Sequence, residues 1–193
     1  RAVDAVRDVE TVWVYSPTKS SREAFAGEMD RTLDASVAAV SSSAAAVEGA
    51  DVVITATDAA APVFDGDLLE PGTHVTAMGQ YHPKKRELDD TTVARSTYVV
   101  DLRGRLTTDA GSYMHAVESG AVEADHCHAE LGAVVAGEAA GRPDDEAITV
   151  FDSGGTGIET TAAAAMLYEK ARAEGLGQEL SFAPASEALT GRE

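Results

Sequence analysis

Asp51-Val52-Val53-Ile54-Thr55-Ala56-Thr57 follows a Gly49-Ala50 turn and reads as a continuous apolar, β-branched run. Such a run predicts a strand buried on both faces, the kind found in parallel sheets covered by helices. Moving toward the N-terminus, a brief alanine helix ends near Gly49, behind a serine-rich cap and a short strand at 37–40. Before them, Ser20-x-x-Glu23 reads as a capping box, with Phe25, Met29 and Leu33 recurring on one helical face. A further strand, Thr11 to Tyr15, closes that side at the turn Ser16-Pro17.

Toward the C-terminus, Pro62 and Pro71-Gly72 mark loops, and 73–79 and 96–102 predict two more strands around a partly helical 84–95. Residues 125–141 predict a helix with Leu131, Val134 and Val135 on its apolar face, and 148–151 a strand. The glycine-rich segment 152–157 then opens an alanine helix over 158–174, and a loop-like, mobile tail is expected over 178–193. Strands alternating with helices at this spacing imply right-handed crossovers. The expected fold is α/β, a doubly wound, Rossmann-type and mainly parallel sheet.

The chain has 193 residues, of which 33 are acidic and 15 basic, leaving a formal charge of −18. Such a surface repels nucleic acid, so no nucleic-acid partner is expected. The acidity fits a hydrated, halophilic surface in a salt-rich cytoplasm, where screening tolerates self-repulsion. No run of about 18 apolar residues and no basic-then-apolar leader is seen, so the expected location is cytoplasmic, without a membrane partner. Cys127 is the single cysteine, which excludes an internal disulfide framework.

Three segments invite chemistry. The turn after the first strand carries Ser16, Thr18, Lys19 and Arg22 and no acid. In a dinucleotide fold an Asp or Glu at this turn binds the ribose 2′-hydroxyl, whereas hydroxyls and bases accommodate a 2′-phosphate. NADP(H) is therefore expected over NAD(H), the alternative being a solvated helix start. The glycine fingerprint that normally precedes this turn is expected to lie, with the first strand, outside the chain. Gly154-Gly155-Thr156-Gly157 lies between a strand and a helix but lacks the fingerprint spacing.

The second segment, Gly79-Gln80-Tyr81-His82-Pro83-Lys84-Lys85-Arg86-Glu87-Leu88-Asp89, follows a strand, where open α/β sheets bind ligands. Its bland alternative is a surface loop whose cations pair with Glu87, Asp89 and Asp90. The third, Asp109-Ala110-Gly111, offers a carboxylate or an ordinary exposed turn. His126-Cys127-His128 with Glu130 is too compressed for a known zinc spacing, so no metal is expected. No G-x-S-x-G elbow supports a serine hydrolase.

These segments, in order, resemble the ornithine cyclodeaminase and μ-crystallin family of NAD(P)-dependent proteins, and the chain looks like an acidic, haloarchaeal-like member. The resemblance rests on 49–57 with Pro62, on Pro71-Gly72-Thr73-His74-Val75 through Met78-Gly79, and on Pro83-x-x-Arg86-Glu87-Leu88-Asp89. Glu130-Leu131-Gly132 and Val150-Phe151-Asp152-Ser153-x-Gly155 complete it. By that resemblance Thr55, Ala56 and Thr57 border the cofactor, Met78 lies under the nicotinamide, Ser153 approaches its carboxamide, and Asp109 faces the substrate.

The resemblance also implies that residues 1–177 form the dinucleotide-binding domain, incomplete at its N-terminus. Its last helix, 158–177, would return toward a substrate and dimer domain outside the chain. That N-terminal region would carry the family's substrate-binding Arg and Lys residues, so the chain alone is expected to be inactive and the full-length protein a homodimer.

Two positions depart from the family. Tyr81 stands where cyclodeaminases carry a catalytic Asp, and Thr160 where an Asp is common. A phenol is a poor carboxylate-like base at neutral pH, which argues against ornithine cyclisation but not against hydride transfer. The expected activity is hydride transfer at the α-carbon of an amino or cyclic imino acid, with Tyr81, Asp109 and Lys84 as candidates for proton transfer. The rival is a non-catalytic, μ-crystallin-like binding protein.

Overall fold

Two parallel sheets organise the computed structural model, which describes residues 1–178 and residue 180. Thr11–Val14 (β1) pairs with Ser36–Ala39 (β2), the two joined by helix α1, Lys19–Asp30. The second sheet contains Val52–Thr55 (β3), His74–Ala77 (β4), Ser96–Val100 (β5), Ala129–Glu130 (β6) and Ile148–Asp152 (β7). Its order is β3-β4-β7-β5-β6, so the last strand enters between two earlier ones. All pairings are parallel, as the expected fold requires, so every strand of a sheet ends on the same edge.

The connections carry α2 (Ala44–Val47), α3 (Asp90–Arg95), α4 (Gly111–Glu118) and α5 (Leu131–Val135). Val53, Val75, Val100 and Val150 from the strands pack with Leu88, Val93, Tyr113 and Ala116 from the connections. The Tyr98 and Tyr113 rings meet in a tilted contact at 5.3 Å between centroids, within the favourable aromatic range. Two compact units result, Arg1–Gly154 and a second beginning at Gly155. The second holds α6, Gly157–Ala173, which opens with a complete capping box between Thr156 and Glu159. No described helix is long and apolar enough to cross a membrane.

Several local expectations are corrected. β3 is not buried throughout: Val53 and Thr55 are buried, while Val52 and Ile54 are exposed. Side chains alternate along a strand, so Val52 and Ile54 share one face, which is left open among the described residues, where β3 also lies at the margin of its sheet. Helix α1 starts before the Ser20–Glu23 pair, with Thr18 as an N-cap that makes no side-chain bond, and it buries Ala26 rather than Phe25. The single helix expected over 125–141 is instead a loop, the two-residue β6 and the five-residue α5, whose Val135 is exposed. Asp109-Ala110-Gly111 is no exposed turn, since Ala110 and Gly111 are buried at the start of α4. The tail expected over 178–193 lies, apart from residues 178 and 180, outside the described residues.

Candidate functional site

Strand register lines up the ends of the larger sheet. Thr55 pairs with Ala77, Ala77 with Asp152, and Asp152 with Val100, which in turn neighbours Glu130. The residues just beyond these ends are therefore side by side: Ala56-Thr57, Met78-Gly79, Ser153 and Asp101. Met78 presents an exposed apolar side chain, Ser153 is half-buried, and Thr55 is buried below them. The sheet thus gathers five of the expected cofactor contacts, Thr55, Ala56, Thr57, Met78 and Ser153, on one edge.

Beneath that edge sits Glu87, which the sequence offers as a surface partner for the loop cations but which instead accepts only from Thr55, Thr57 and Gly79 among the described residues. Glu87 is 1% exposed. Its Oε2 accepts from the Thr55 hydroxyl at 2.9 Å and the Gly79 amide at 2.8 Å, and its Oε1 from the Thr57 amide at 2.6 Å. Position 79 must be glycine for this closeness, because a Cβ would overlap the Thr57 backbone and the Glu87 carboxylate. Asp89 anchors the same segment by accepting from the amides of Thr92 and Gly66 at 2.7 and 2.9 Å.

A shallow pocket of about 180 Å³ lies along this loop, lined by Asp58, Gly79, Gln80, Tyr81, His82 and Lys85. Tyr81 is 69% exposed there. Lys84 is exposed and does not line the pocket, whereas Lys85 does and pairs with Asp58. That hydrogen bond, with a second from Gln80, holds the Asp58 carboxyl below its ordinary range. Gly111 abuts the carbonyls of His82 and Lys85 closely enough that a side chain would displace them, so the turn bearing Asp109 adjoins this loop. The Asp109 carboxylate itself accepts from Arg105 Nε at 2.8 Å.

Arg105 is the hub of a second buried network. Its Nη1 donates to Asp101 at 3.0 Å and to the Asp152 carbonyl at 3.0 Å, while the buried Nη2 has no hydrogen-bond partner among the described residues. Burial opposes the guanidinium charge, but Asp152, Asp101 and Asp109 outweigh it and raise its pKa. Burial likewise pushes the Asp152 carboxyl up, against the opposing pull of Arg105 and the Tyr98 hydroxyl, which donates to it at 2.5 Å.

The expected ribose turn occupies the end of β1 on the smaller sheet. Ser16 is half-buried, Thr18 and Lys19 are exposed, and Lys19 pairs with Glu23 at 3.7 Å. Arg22 donates to the Ser16 carbonyl at 2.9 Å and lies over the Tyr15 ring at 5.8 Å. In the glycine-rich segment, the Gly154 amide donates to Asp101 and the Thr156 amide to Glu159, so carboxylates already use these donors. His126 and His128 bond to the Val93 and Ala140 carbonyls, which separates them. Among the described residues no group of three His, Cys, Asp or Glu side chains is placed to hold a metal.

Comparison with known proteins matches residues 1–175 to the sequence model of the ornithine cyclodeaminase/mu-crystallin family. A Delta(1)-pyrroline-2-carboxylate reductase of Bacillus cereus (strain ZK / E33L) is 36% identical over 182 residues, 94% of this chain and 56% of its own length. The solved structure of the Thermococcus litoralis Delta(1)-pyrroline-2-carboxylate reductase, in complex with NADH and L-proline, superposes with a TM-score of 0.86. It is 36% identical and matches 93% of this chain and 55% of that one. An archaeal alanine dehydrogenase dimer with bound NAD follows at a TM-score of 0.82 and 30% identity, over 94% and 56% of the respective chains. The chain thus spans a little over half the length of these relatives.

Proposed function

The chain belongs to the ornithine cyclodeaminase/mu-crystallin family, and from that premise we propose that it forms the nicotinamide-cofactor part of an oxidoreductase acting at the α-carbon of an amino or cyclic imino acid. The observation that carries this reading is the shared edge of β3, β4 and β7, where Thr57, Met78 and Ser153 stand just beyond the ends of three adjacent strands. An exposed apolar side chain flanked by hydroxyls suits a flat ring bearing an amide. When bound, the nicotinamide carries the hydride. Met78 would supply a face for the ring, Ser153 would offer a hydrogen bond to its amide, and Thr55, Ala56 and Thr57 would border its ribose.

Tyr81, Lys84 and Asp109 are the groups proposed to move a proton at the substrate nitrogen. Tyr81 is supported by its place in the pocket beside the strand ends. Lys84 shares its loop, and Asp109 adjoins it through the Gly111 contact. Tyr81 in place of a carboxylate base favours reduction of an imine over cyclisation of ornithine. We assign residues 1–177 to the dinucleotide-binding part and a homodimer to the intact protein, as in the archaeal alanine dehydrogenase dimer.

NADP(H) is proposed over NAD(H), although the solved relatives hold NADH or NAD. The support is the acid-free turn with exposed Thr18 and Lys19, to which Arg22 adds a second positive charge. The test is a screen of the intact protein that carries this chain, with NADPH and NADH against cyclic imines, alanine and ornithine. Imine-dependent NADPH consumption is expected, weakened at least tenfold by Lys19→Ala with Arg22→Ala. Tight cofactor binding with no turnover would favour the binding-protein alternative, and ammonia release from ornithine would favour cyclisation.

A further inference from the structure

Arg86-Glu87-Leu88-Asp89 sends four consecutive side chains to four destinations. Arg86 pairs with Asp90, Leu88 enters the core at 0% exposure, and Asp89 caps α3 and holds Gly66. Glu87 alone reaches the binding edge, and it does so from below. Its three donors come from the end of β3 and from the first residue after Met78. Both carboxylate oxygens are used, and the links fix the spacing between two neighbouring strand ends at the point where a ligand would enter.

The nearest cations in sequence are spoken for: Arg86 faces Asp90 and Lys85 faces Asp58. Among the described residues no ion pair neutralises Glu87, and only the dipoles of two backbone amides and the Thr55 hydroxyl compensate its charge. Such a group keeps a field that acts on whatever binds above it.

We propose that Glu87 is a positioning residue for the nicotinamide end of the cofactor: it locks the ends of β3 and β4 at a fixed separation, and its negative charge beneath them favours the oxidised, cationic ring over the reduced, neutral one. This inference rests on the cofactor reading given above. No proton or electron passes through Glu87.

Glu87→Gln keeps the length and one acceptor but must turn an N–H donor either toward the Thr57 amide or toward the donors of Gly79 and Thr55. Hydrogen exchange and cofactor titration together test the idea on the intact protein, using NADP+ and NADPH and then NAD+ and NADH. The Thr57 and Gly79 amides should exchange at least tenfold faster in the variant, while the Gly66 and Thr92 amides, held by Asp89, stay unchanged. The dissociation constant of the oxidised cofactor should rise at least threefold more than that of the reduced one. Equal weakening of both forms would reduce Glu87 to a structural brace and overturn the proposal, as would unchanged exchange at Thr57 and Gly79. Failure of the wild-type protein to bind either form would instead sink the cofactor reading, whatever the exchange data show.

Discussion

Tyr98 shows how much one hydroxyl can decide. Its O–H donates to a buried Asp152 whose carboxyl burial has pushed upward, and the phenol's own pKa is raised well above its ordinary value, first by burial and then by that carboxylate. An acid whose folded pKa is raised stabilises the fold below its unfolded pKa and loses that contribution as pH climbs through the folded value. Tyr98→Phe removes one of the groups that resist the shift, so the loss at neutral pH deepens. A cost of about 1.5–3 kcal/mol is expected near pH 7, the range for a hydrogen bond to a charged group. Urea denaturation of both proteins across the acid range should show the gap closing as pH falls; a gap independent of pH would contradict the assignment. Asp152 stood in the sequence as part of a family-like run, but nothing there set its carboxylate apart from a solvated one among 33 acids. The same holds for Glu87 and Arg105, whose partners are 30 and 47 residues away.

At the scale of elements, the alternation of strands and helices was legible because each buried strand carries its own apolar run, as Val75 and Val150 show on β4 and β7. Short elements were not. β6 has two residues and α5 five, too few to display a period, and β3 looks interior by composition while lying at a margin. Helix α4 is hidden in the sequence because Asp109-Ala110-Gly111 at its start reads as a turn, although packing against the His82–Lys85 loop is what demands the glycine. The clearest local signal is at α6, where Thr156 and Glu159 satisfy each other's backbone amides. Thr156→Ala should cost that helix about 1 kcal/mol. Faster exchange confined to its first-turn amides would show it, and unchanged exchange would mean the cap does not hold the helix start.

For the molecule as a whole, the dominant quantity is the formal charge of −18. Self-repulsion on that scale weakens the compact state, and its reach shrinks from about 10 Å at 0.1 M salt to about 3 Å at 1 M. The unfolding temperature should therefore rise steadily with potassium chloride through the molar range; a flat or falling curve would show that repulsion is not what limits stability. Family and fold were readable at this scale because they are distributed over many segments, each weak alone. The candidate site was half readable: its residues sit at predictable strand ends, but which charges neutralise one another is a matter of three-dimensional neighbours.

The margins of the two sheets carry a further consequence. β1 and β3 each pair with a single strand among the described residues, so one side of each offers a row of backbone donors and acceptors to any extended peptide. Electrostatic repulsion between identical chains holds a second copy away from those rows. Concentrated salt strips away that protection while it firms the individual fold, so heat resistance and colloidal stability should move in opposite directions. Light scattering that grows alongside a rising melting temperature would be the visible sign of intermolecular zippering along β1 and β3.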